Sequence, residues 1–221
     1  MKLFFNALTK FVVGFLLVAT LLFLPAGTIH FPNAWIFLGL LFAPMVLLGA
    51  VLLIKSPALL EKRLNTKETQ KTQKGVVGVA ALLFVVGFVV AGLDFRFGWS
   101  RVPTPLVAVA AVILLISYAL YAEVMRENAY LSRTVEVQEN QTVVSTGLYG
   151  IVRHPMYAAT VWLFLSIPVV LGSWWSLLCF APYVFAIIVR IKNEEKVLEE
   201  GLSGYKEYKE KVRYRLLPFI W

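Results

Sequence analysis

Two charged clusters, one on each side of a long apolar block, contain the residue types best suited to chemistry. Residues 147–157, GLYGIVRHPMY, combine a guanidinium group (Arg153) with one of the two histidines of the chain (His154). Residues 190–200, RIKNEEKVLEE, carry two adjacent carboxylates on a predicted helix. Guanidinium groups bind carboxylates and phosphates, imidazoles transfer protons, and carboxylates accept hydrogen bonds from hydroxyl and ammonium groups. The clusters could form one charged binding site if the chain brings them together.

The first cluster has the features of a helix start that attracts an anion. Pro155 suits the first helical position, where its missing N–H group removes no hydrogen bond. It also biases His154 toward an extended conformation. Arg153 and His154 would then precede a helix N-terminus, whose free N–H groups favour an anion. Gly147 and Gly150 allow a tight backbone close to a ligand. Alone, the same residues also fit an interfacial arginine and a hydrogen-bonded loop histidine.

The second cluster places its carboxylates on different faces of a helix. Arg190 and Glu194 are neighbours at i and i+4. Glu195 points about 100° away from Glu194 and aligns with Glu199, so the two adjacent carboxylates cannot have the same role. An ion pair between Arg190 and Glu194 at a helix end is the simpler structural alternative.

Two tyrosines are further candidates for the site, and several common binding or catalytic motifs are missing from the sequence. Tyr205 and Tyr208 share one face of a predicted C-terminal helix, where they would either anchor it at the membrane interface or close over a cofactor. His30 and His154 fall on opposite predicted sides of the membrane, and we find no Cys/His spacing for a metal site. The sequence also has no P-loop, no G-x-S-x-G motif and no βαβ pattern for a dinucleotide-binding fold.

The composition predicts an integral membrane protein. Hydrophobic residues make up 59% of the 221 residues and charged residues 15%, and the apolar residues lie in long blocks. Blocks of about 20 apolar residues span a membrane core. Four are predicted, at about 11–29, 34–54, 75–93 and 105–122. Since backbone polar groups must be satisfied within each block, these spans are helices.

A fifth apolar block, residues 156–189, is too long for one span. As a straight helix its 34 residues would extend about 51 Å. Pro168, Gly172 and Ser173 near its middle predict a turn. The block should therefore form a helical hairpin. The resulting fold class is an all-α integral membrane protein with about six transmembrane segments, the last two a hairpin, followed by a cytoplasmic C-terminal helical tail.

The distribution of positive charge supports this arrangement. With the N-terminus in the cytoplasm, 19 of the 21 Lys and Arg residues fall on the cytoplasmic side, and only Arg96 and Arg101 lie outside. A single span at 156–189 would move the eight positive charges of the tail outside. We therefore expect both termini in the cytoplasm, and the inner membrane as location if the protein is bacterial. The net charge of +8 then fits a face near anionic lipids and requires no nucleic-acid partner.

The chain divides into two predicted regions. Residues 1–122 form the N-terminal transmembrane helices, with a basic loop at 55–74 expected to be partly helical along the surface. Residues 123–221 contain the candidate site, formed by the loop 123–155, the hairpin 156–189 and the C-terminal helices. The loop 123–155 is long, and long loops of this kind are commonly functional. Its first part, 123–137, could extend the fourth helix, whereas the tail should break near 201–204 and then resume as a helix before Pro218.

The ordered motifs of residues 145–221 resemble the isoprenylcysteine carboxyl methyltransferase family, which is related to the membrane phospholipid methyltransferases. The motifs are G-L-Y-x-x-V-R-H-P-x-Y, the apolar hairpin, R-x-x-x-E-E-x-x-L, G-Y-x-x-Y and R-Y-R-L-L-P. The resemblance implies a methyltransferase that uses S-adenosylmethionine bound on the cytoplasmic side. It also implies a lipophilic acceptor, either a prenylcysteine-like carboxylate or a lipid, that enters from the bilayer.

The resemblance also implies roles for single residues. Arg153 and His154 are the catalytic candidates, because Arg153 could hold an acceptor carboxylate and His154 could deprotonate an acceptor amine. Glu194 or Glu195 would bind the ribose hydroxyls or the α-ammonium group of the cofactor, in a gap one cofactor wide between the two clusters. The residues expected to bind the cofactor are Gly147, Tyr149, His154, Pro155, Tyr157, Arg190, Glu194, Glu195, Tyr205 and Tyr208.

Two other classes of function stay open at this point. Related motifs occur in membrane sterol and steroid reductases, which use a nicotinamide cofactor, although those chains are usually longer and have more spans. A membrane scaffold without enzymatic activity is the third possibility. The expected partners are a lipophilic substrate and the bilayer, with no metal ion and no obligate protein partner.

Overall fold

Helices make up most of the computed structural model, which describes residues 1–65 and 70–221. These two ranges contain nine α-helices, one short 3-10 helix (Gly147–Gly150) and no β-strand. The prediction of an all-α protein is confirmed. In chain order the α-helices are α1 (Lys2–Ala26), α2 (Pro32–Lys55), α3 (Pro57–Leu64), α4 (Lys71–Phe97), α5 (Thr104–Glu127), α6 (Pro155–Leu171), α7 (Trp174–Phe180), α8 (Tyr183–Gly201) and α9 (Tyr205–Lys211).

Five apolar stretches among the described residues are long enough to cross a membrane. They are Lys2–Ala26, Pro32–Lys55, Thr72–Phe97, Thr104–Glu127 and Trp174–Gly201. Helix α6 is apolar but shorter, at 17 residues. The helices expose many large Phe, Leu, Val and Trp side chains, which suits contact with lipid rather than water. The structure thus confirms the membrane fold, while the number of spans and their orientation stay predictions.

One predicted helix extension is wrong. Helix α5 ends at Glu127, and residues 128–137 are irregular instead of helical. The side chain of Asn128 accepts a hydrogen bond from the N–H group of Tyr130 at 2.9 Å. Such a local side-chain bond competes with the helical bond and favours a turn. The loop therefore begins ten residues earlier than predicted, and this places it beside the candidate site.

The apolar block after Pro155 folds back as predicted. Helix α6 ends at Leu171, followed by Gly172 with φ +84, a left-handed conformation that suits glycine. The Ser173 hydroxyl accepts a hydrogen bond from the Ser176 N–H group and caps α7. The next helix, α8, returns along the bundle, so that its polar end meets the start of α6.

A buried polar cluster attaches the apex of this hairpin to α4. Asp94 is almost fully buried and accepts hydrogen bonds from the N–H and hydroxyl groups of Ser100 at 2.7 and 2.6 Å. The Ser173 hydroxyl also donates to Asp94. In α7, the Ser176 hydroxyl donates to the carbonyl of Gly87 at 2.9 Å. These contacts set the position of α6 and α8 against the rest of the bundle.

Helix α4 packs against α1 through a close backbone approach at Gly92. A Cβ atom at this position would lie 2.5 Å from the Leu22 carbonyl oxygen and 3.1 Å from the N atom of Ala26. Because the obstructing atoms belong to the backbone, a side-chain rotation cannot relieve this contact. Small residues at helix interfaces commonly permit such close approach in membrane proteins.

We expect Gly92→Ala to separate α1 from α4 and to destabilise the protein by about 1–3 kcal/mol, as overpacking does. Gly78→Ala on the same helix is the matched control, since a Cβ atom there meets nothing within 4 Å. Alanine favours the helix over glycine, so the control should be neutral or stabilising. Thermal unfolding of both variants in the same detergent tests this. Equal unfolding midpoints for the two variants would show that α1 moves away from α4 without loss of stability.

The C-terminal tail is less helical than predicted. The break near 201–204 is present, but α9 covers only Tyr205–Lys211. Residues 212–221 continue without helix, in part because the carbonyls of Tyr214 and Arg215 accept hydrogen bonds from the backbone of the 153–154 segment. In the basic loop 55–74, α3 supplies the expected helix, while residues 66–69 of this prediction lie outside the described residues.

Candidate active site

A buried ionic cluster joins the two predicted charged clusters. Arg153 Nε donates to Glu195 Oε1 at 2.8 Å, and His154 Nε2 lies 3.3 Å from the same oxygen. Arg215 Nε donates to Glu195 Oε2 at 2.9 Å. Arg153 is 6% exposed and Glu195 3% exposed. The charges of Arg153 and Glu195 are therefore removed from water and paired with each other, while Arg215 is partly exposed. The predicted gap between the clusters is wrong for Glu195, which pairs directly with Arg153 and His154.

Arg153 also holds the C-terminal segment in place. Its Nη1 atom donates to the carbonyls of Val212 and Arg213 at 2.7 and 2.9 Å. Its backbone N–H group donates to the carbonyl of Tyr214 at 2.9 Å. These acceptors and Glu195 engage Arg153 within the protein. The geometry indicates a positioning role for Arg153, and its contact with an acceptor carboxylate stays a prediction.

The neighbouring carboxylate, Glu194, points in another direction, as the helical spacing predicted. The hydroxyl of Tyr157 donates to Glu194 Oε2. The same hydroxyl accepts a hydrogen bond from Arg190 Nε at 2.8 Å. Tyr157 thus connects Arg190 with Glu194 and fixes the direction of the Glu194 side chain. Arg190 in turn donates to the Gln73 side chain at 2.9 Å, a contact that no sequence motif indicated.

Glu194 borders a cavity of about 820 Å³, including its opening, at this end of the helices. The loop after α5 forms one wall, and α8 and α9 form the other. Seven of the predicted site residues line it, which are Tyr149, Arg153, His154, Tyr157, Glu194, Tyr205 and Tyr208. Four others, Gly147, Pro155, Arg190 and Glu195, do not line the cavity.

Gly147 and Pro155, which do not line the cavity, have structural roles. Gly147 has φ +51, and a Cβ atom there would overlap Glu127 Oε1 at 1.4 Å. Glu127 accepts a hydrogen bond from the N–H group of Leu148 at 3.0 Å and so fixes the turn before the 3-10 helix. Pro155 begins α6 as predicted. Gly147 and Pro155 therefore shape the backbone that carries Arg153 and His154 into the site.

Among the described residues that line the cavity, Tyr205 has the one side-chain polar atom that is buried without a hydrogen-bond partner. The residue is 4% exposed, and its hydroxyl makes no hydrogen bond to any described residue. Burial raises the pKa of Tyr205 well above its ordinary value, and the charges of Glu195 and Glu194 raise it further. The hydroxyl therefore stays protonated and can donate. A buried hydroxyl without a protein partner is unfavourable, so a ligand or a water molecule that accepts its hydrogen bond would stabilise this wall.

Tyr208 differs from Tyr205 although both line the cavity. Its hydroxyl donates to the carbonyl of Tyr149 at 2.7 Å. The Tyr149 hydroxyl in turn accepts a hydrogen bond from the Asn128 side chain at 2.9 Å. These bonds connect α9, the 3-10 helix and the loop after α5, so that Tyr208 holds the wall together.

The loop after α5 contributes wall residues that the motifs did not indicate. Thr134, Glu136, Gln141 and Thr142 add polar groups, and Val135, Val143 and Val144 add apolar ones. The length of the loop was the single signal for its involvement. Among the described residues, no three His, Cys, Asp or Glu side chains are close enough to hold a metal ion.

Two comparisons with known proteins bear on the family and the fold of this chain. The model of the phospholipid methyltransferase family matches residues 105–203, from the start of α5 to the end of α8. The fold is similar to that of the eukaryotic intramembrane Ras methyltransferase, isoprenylcysteine carboxyl methyltransferase, with a TM-score of 0.56. That match covers 97% of this chain and 77% of the other, at 16% identity. No curated protein matches the chain by sequence.

The resemblance predicted from residues 145–221 is thereby confirmed, and it extends further than the motifs did. The structural match includes the N-terminal helices, which the sequence likened to the family only as membrane helices. Family match and fold together support an integral membrane methyltransferase.

Proposed function

We propose that this protein transfers a methyl group from S-adenosylmethionine to a lipophilic acceptor. The observation that carries the proposal is the cavity lined by Glu194 and by Tyr205, whose hydroxyl has no partner among the described residues. Glu194 lies within residues 105–203, which match the phospholipid methyltransferase family. The cavity lies at the polar end of apolar helices, where a water-soluble cofactor and a lipid can both arrive.

The residues of the cavity fit the chemical groups of this cofactor. The Glu194 carboxylate can accept hydrogen bonds from ribose hydroxyls or from the α-ammonium group. The Tyr205 hydroxyl can donate to a carboxylate or ring nitrogen. Leu198, Leu202 and Tyr149 offer apolar and aromatic surface for the adenine ring. The unsatisfied hydroxyl and the carboxylate oriented by Tyr157 are the two features that a purely structural cavity would not need.

When bound, the cofactor supplies an electrophilic methyl group on a sulfonium. The protein's task is then to align donor and acceptor, which can contribute a large part of the rate enhancement. A carboxylate acceptor is already ionised at neutral pH and needs no base. An amine acceptor must lose a proton, and His154, paired with Glu195 at 3.3 Å in the cavity wall, is the residue that can accept it.

Calorimetry on the detergent-solubilised protein tests the proposed function. We expect binding of S-adenosylhomocysteine, the demethylated product, and transfer of labelled methyl groups from S-adenosylmethionine into lipid extracts. Binding of a nicotinamide cofactor in place of the sulfonium would instead identify a membrane reductase. Binding of neither class of cofactor would favour a membrane scaffold without enzymatic activity.

Variants of the two cavity tyrosines sharpen this test. Tyr205→Phe removes a hydroxyl without a protein partner, so it should weaken S-adenosylhomocysteine binding about threefold to tenfold without lowering the unfolding temperature. Tyr208→Phe is the matched change. It removes the bond to Tyr149 and should lower stability by about 1 kcal/mol. If Tyr205→Phe destabilises the protein and leaves affinity unchanged, the hydroxyl has a structural role.

A further inference from the structure

Gln73 is a fully buried polar residue in the first turn of the long apolar helix α4. Its side-chain amide contacts Arg190 of α8 in two ways. Gln73 Oε1 accepts a hydrogen bond from Arg190 Nη1 at 2.9 Å, and Gln73 Nε2 donates to the carbonyl of Arg190 at 3.3 Å. Burial of an amide without partners is unfavourable, so these two bonds explain how a glutamine can lie between two packed helices.

The guanidinium group of Arg190 is held by acceptors from three parts of the chain. Besides the contact of Nη1 with Gln73, the Arg133 carbonyl in the loop after α5 accepts a hydrogen bond from Nη2 at 2.6 Å. The Tyr157 hydroxyl of α6 accepts one from Nε at 2.8 Å. Because a guanidinium group is planar and rigid, an acceptor that holds Nη1 also fixes the direction in which the Nε–H group points.

The Tyr157 hydroxyl passes this orientation on to Glu194. A hydroxyl group has one proton to donate, and the proton of Tyr157 goes to Glu194 Oε2. Since the Arg190 Nε–H group occupies another side of the Tyr157 oxygen, it directs this proton toward Glu194. Gln73 does not line the cavity, whereas Tyr157 and Glu194 do. Gln73 can therefore act on a bound ligand only through the residues that form the wall.

The second bond of Gln73 acts on the backbone of α8. In an α-helix the carbonyl of residue i accepts the N–H group of residue i+4, so the Arg190 carbonyl is the helical acceptor for Glu194. Gln73 Nε2 donates to this same carbonyl. One amide thus contacts both the side chain that orients Tyr157 and the helical turn that carries Glu194. Packing of α4 against α8 alone would not require an amide at this position.

We infer that Gln73 is a positioning residue that holds Glu194 in its cofactor-binding orientation. The inference rests on the proposed function, in which the Glu194 carboxylate accepts hydrogen bonds from S-adenosylmethionine. Gln73 lies outside residues 105–203, the part of the chain that matches the family model. Helix α4 thereby takes part in cofactor binding, in addition to embedding the protein in the bilayer.

Gln73→Met tests the inference, because methionine has the length of glutamine but no amide. S-adenosylhomocysteine should bind this variant about threefold to tenfold more weakly than the wild type, as loss of a hydrogen bond to a charged group predicts. Gln73→Glu keeps an acceptor for Arg190 Nη1, so its affinity should stay within about twofold of the wild type. Thr72→Val is the matched control, since Thr72 is an exposed neighbour on α4 that does not line the cavity. Calorimetry in one detergent compares all four proteins.

A double-mutant cycle with Glu194→Gln separates positioning from a general loss of structure. If Gln73 acts through Glu194, addition of Gln73→Met to Glu194→Gln should weaken S-adenosylhomocysteine binding no further. If Gln73 only packs α4 against α8, Gln73→Met should weaken binding by the same factor in both backgrounds. That second result would overturn the inference.

The wild-type protein distinguishes failure of the inference from failure of the proposed function. If the wild type binds S-adenosylhomocysteine and Gln73→Met binds it equally well, Gln73 has no positioning role and the proposed function stands. If the wild type does not bind it, the proposed cofactor is refuted, and the inference with it. Thermal unfolding is measured in parallel. A lower unfolding temperature in Gln73→Met, with an affinity that Gln73→Glu does not restore, would show a structural role and contradict the inference.

Discussion

Glutamine in place of Glu195 should destabilise the protein by about 3–5 kcal/mol, as breaking a buried ion pair does. The carboxylate is 3% exposed and pairs with Arg153 at 2.8 Å and with Arg215 at 2.9 Å. An amide has the same shape but no charge, so the buried Arg153 guanidinium would lose its counter-ion. The effect should be among the largest for any isosteric change in the chain.

The loss of structure in Glu195→Gln should begin at the C-terminal segment. Arg153 and Arg215 connect this segment to α8 through Glu195, and Val212 and Arg213 accept hydrogen bonds from Arg153. Without the carboxylate, residues 212–215 should detach before the helices unfold. Limited trypsin digestion would then cut after Arg213 and Arg215 faster than in the wild type, at a temperature where the helical circular dichroism is intact.

Glu199→Gln provides the comparison. Glu199 lies on the same helix as Glu195, is partly exposed, and pairs with Lys209 of α9. Surface ion pairs contribute about 0–1 kcal/mol, so this variant should unfold close to the wild-type temperature. If Glu195→Gln and Glu199→Gln lose equal stability, the buried cluster does not hold the fold together, and the C-terminal segment is retained by the apolar packing of Leu216 and Trp221.

The sequence predicted the parts of the structure that depend on local pattern and on charge counting. Apolar block lengths located the helices, and the positive-inside count required the block after Pro155 to fold back. Helical geometry separated Glu194 from Glu195, and the structure shows them in different surroundings, with Tyr157 beside one and Arg153 beside the other. These features arise from periodicity and composition, which a single sequence contains.

The parts that failed depend on contacts between distant residues. The spacing of the motifs could not show that Arg153 pairs with Glu195 directly. The cavity therefore lies to one side of this pair. The spacing also could not show that α5 ends just before Asn128. The turn that the Asn128 side chain forms competes there with a sequence of good helix formers.

Loss of the Glu194 charge should have the largest effect on cofactor affinity. Glu194→Gln should weaken S-adenosylhomocysteine binding about 10–100-fold, the range for hydrogen bonds to a charged group. The carboxylate is held in the cavity wall by the Tyr157 hydroxyl, which Arg190 in turn orients. Glu200→Gln is the control for net charge, because Glu200 is exposed on the same helix and does not line the cavity. Its affinity should equal that of the wild type.

A second ligand shows which group of the cofactor Glu194 binds. Methylthioadenosine has the adenine and ribose of the cofactor but lacks the α-ammonium and carboxylate groups. If Glu194 accepts hydrogen bonds from the ribose hydroxyls, Glu194→Gln should weaken both ligands by a similar factor. If it binds the α-ammonium group, the loss should be confined to S-adenosylhomocysteine. Unchanged affinity for both ligands would remove Glu194 from the cofactor site, and the carboxylate would then serve only to hold Tyr157 and Arg190 in position behind the cavity wall.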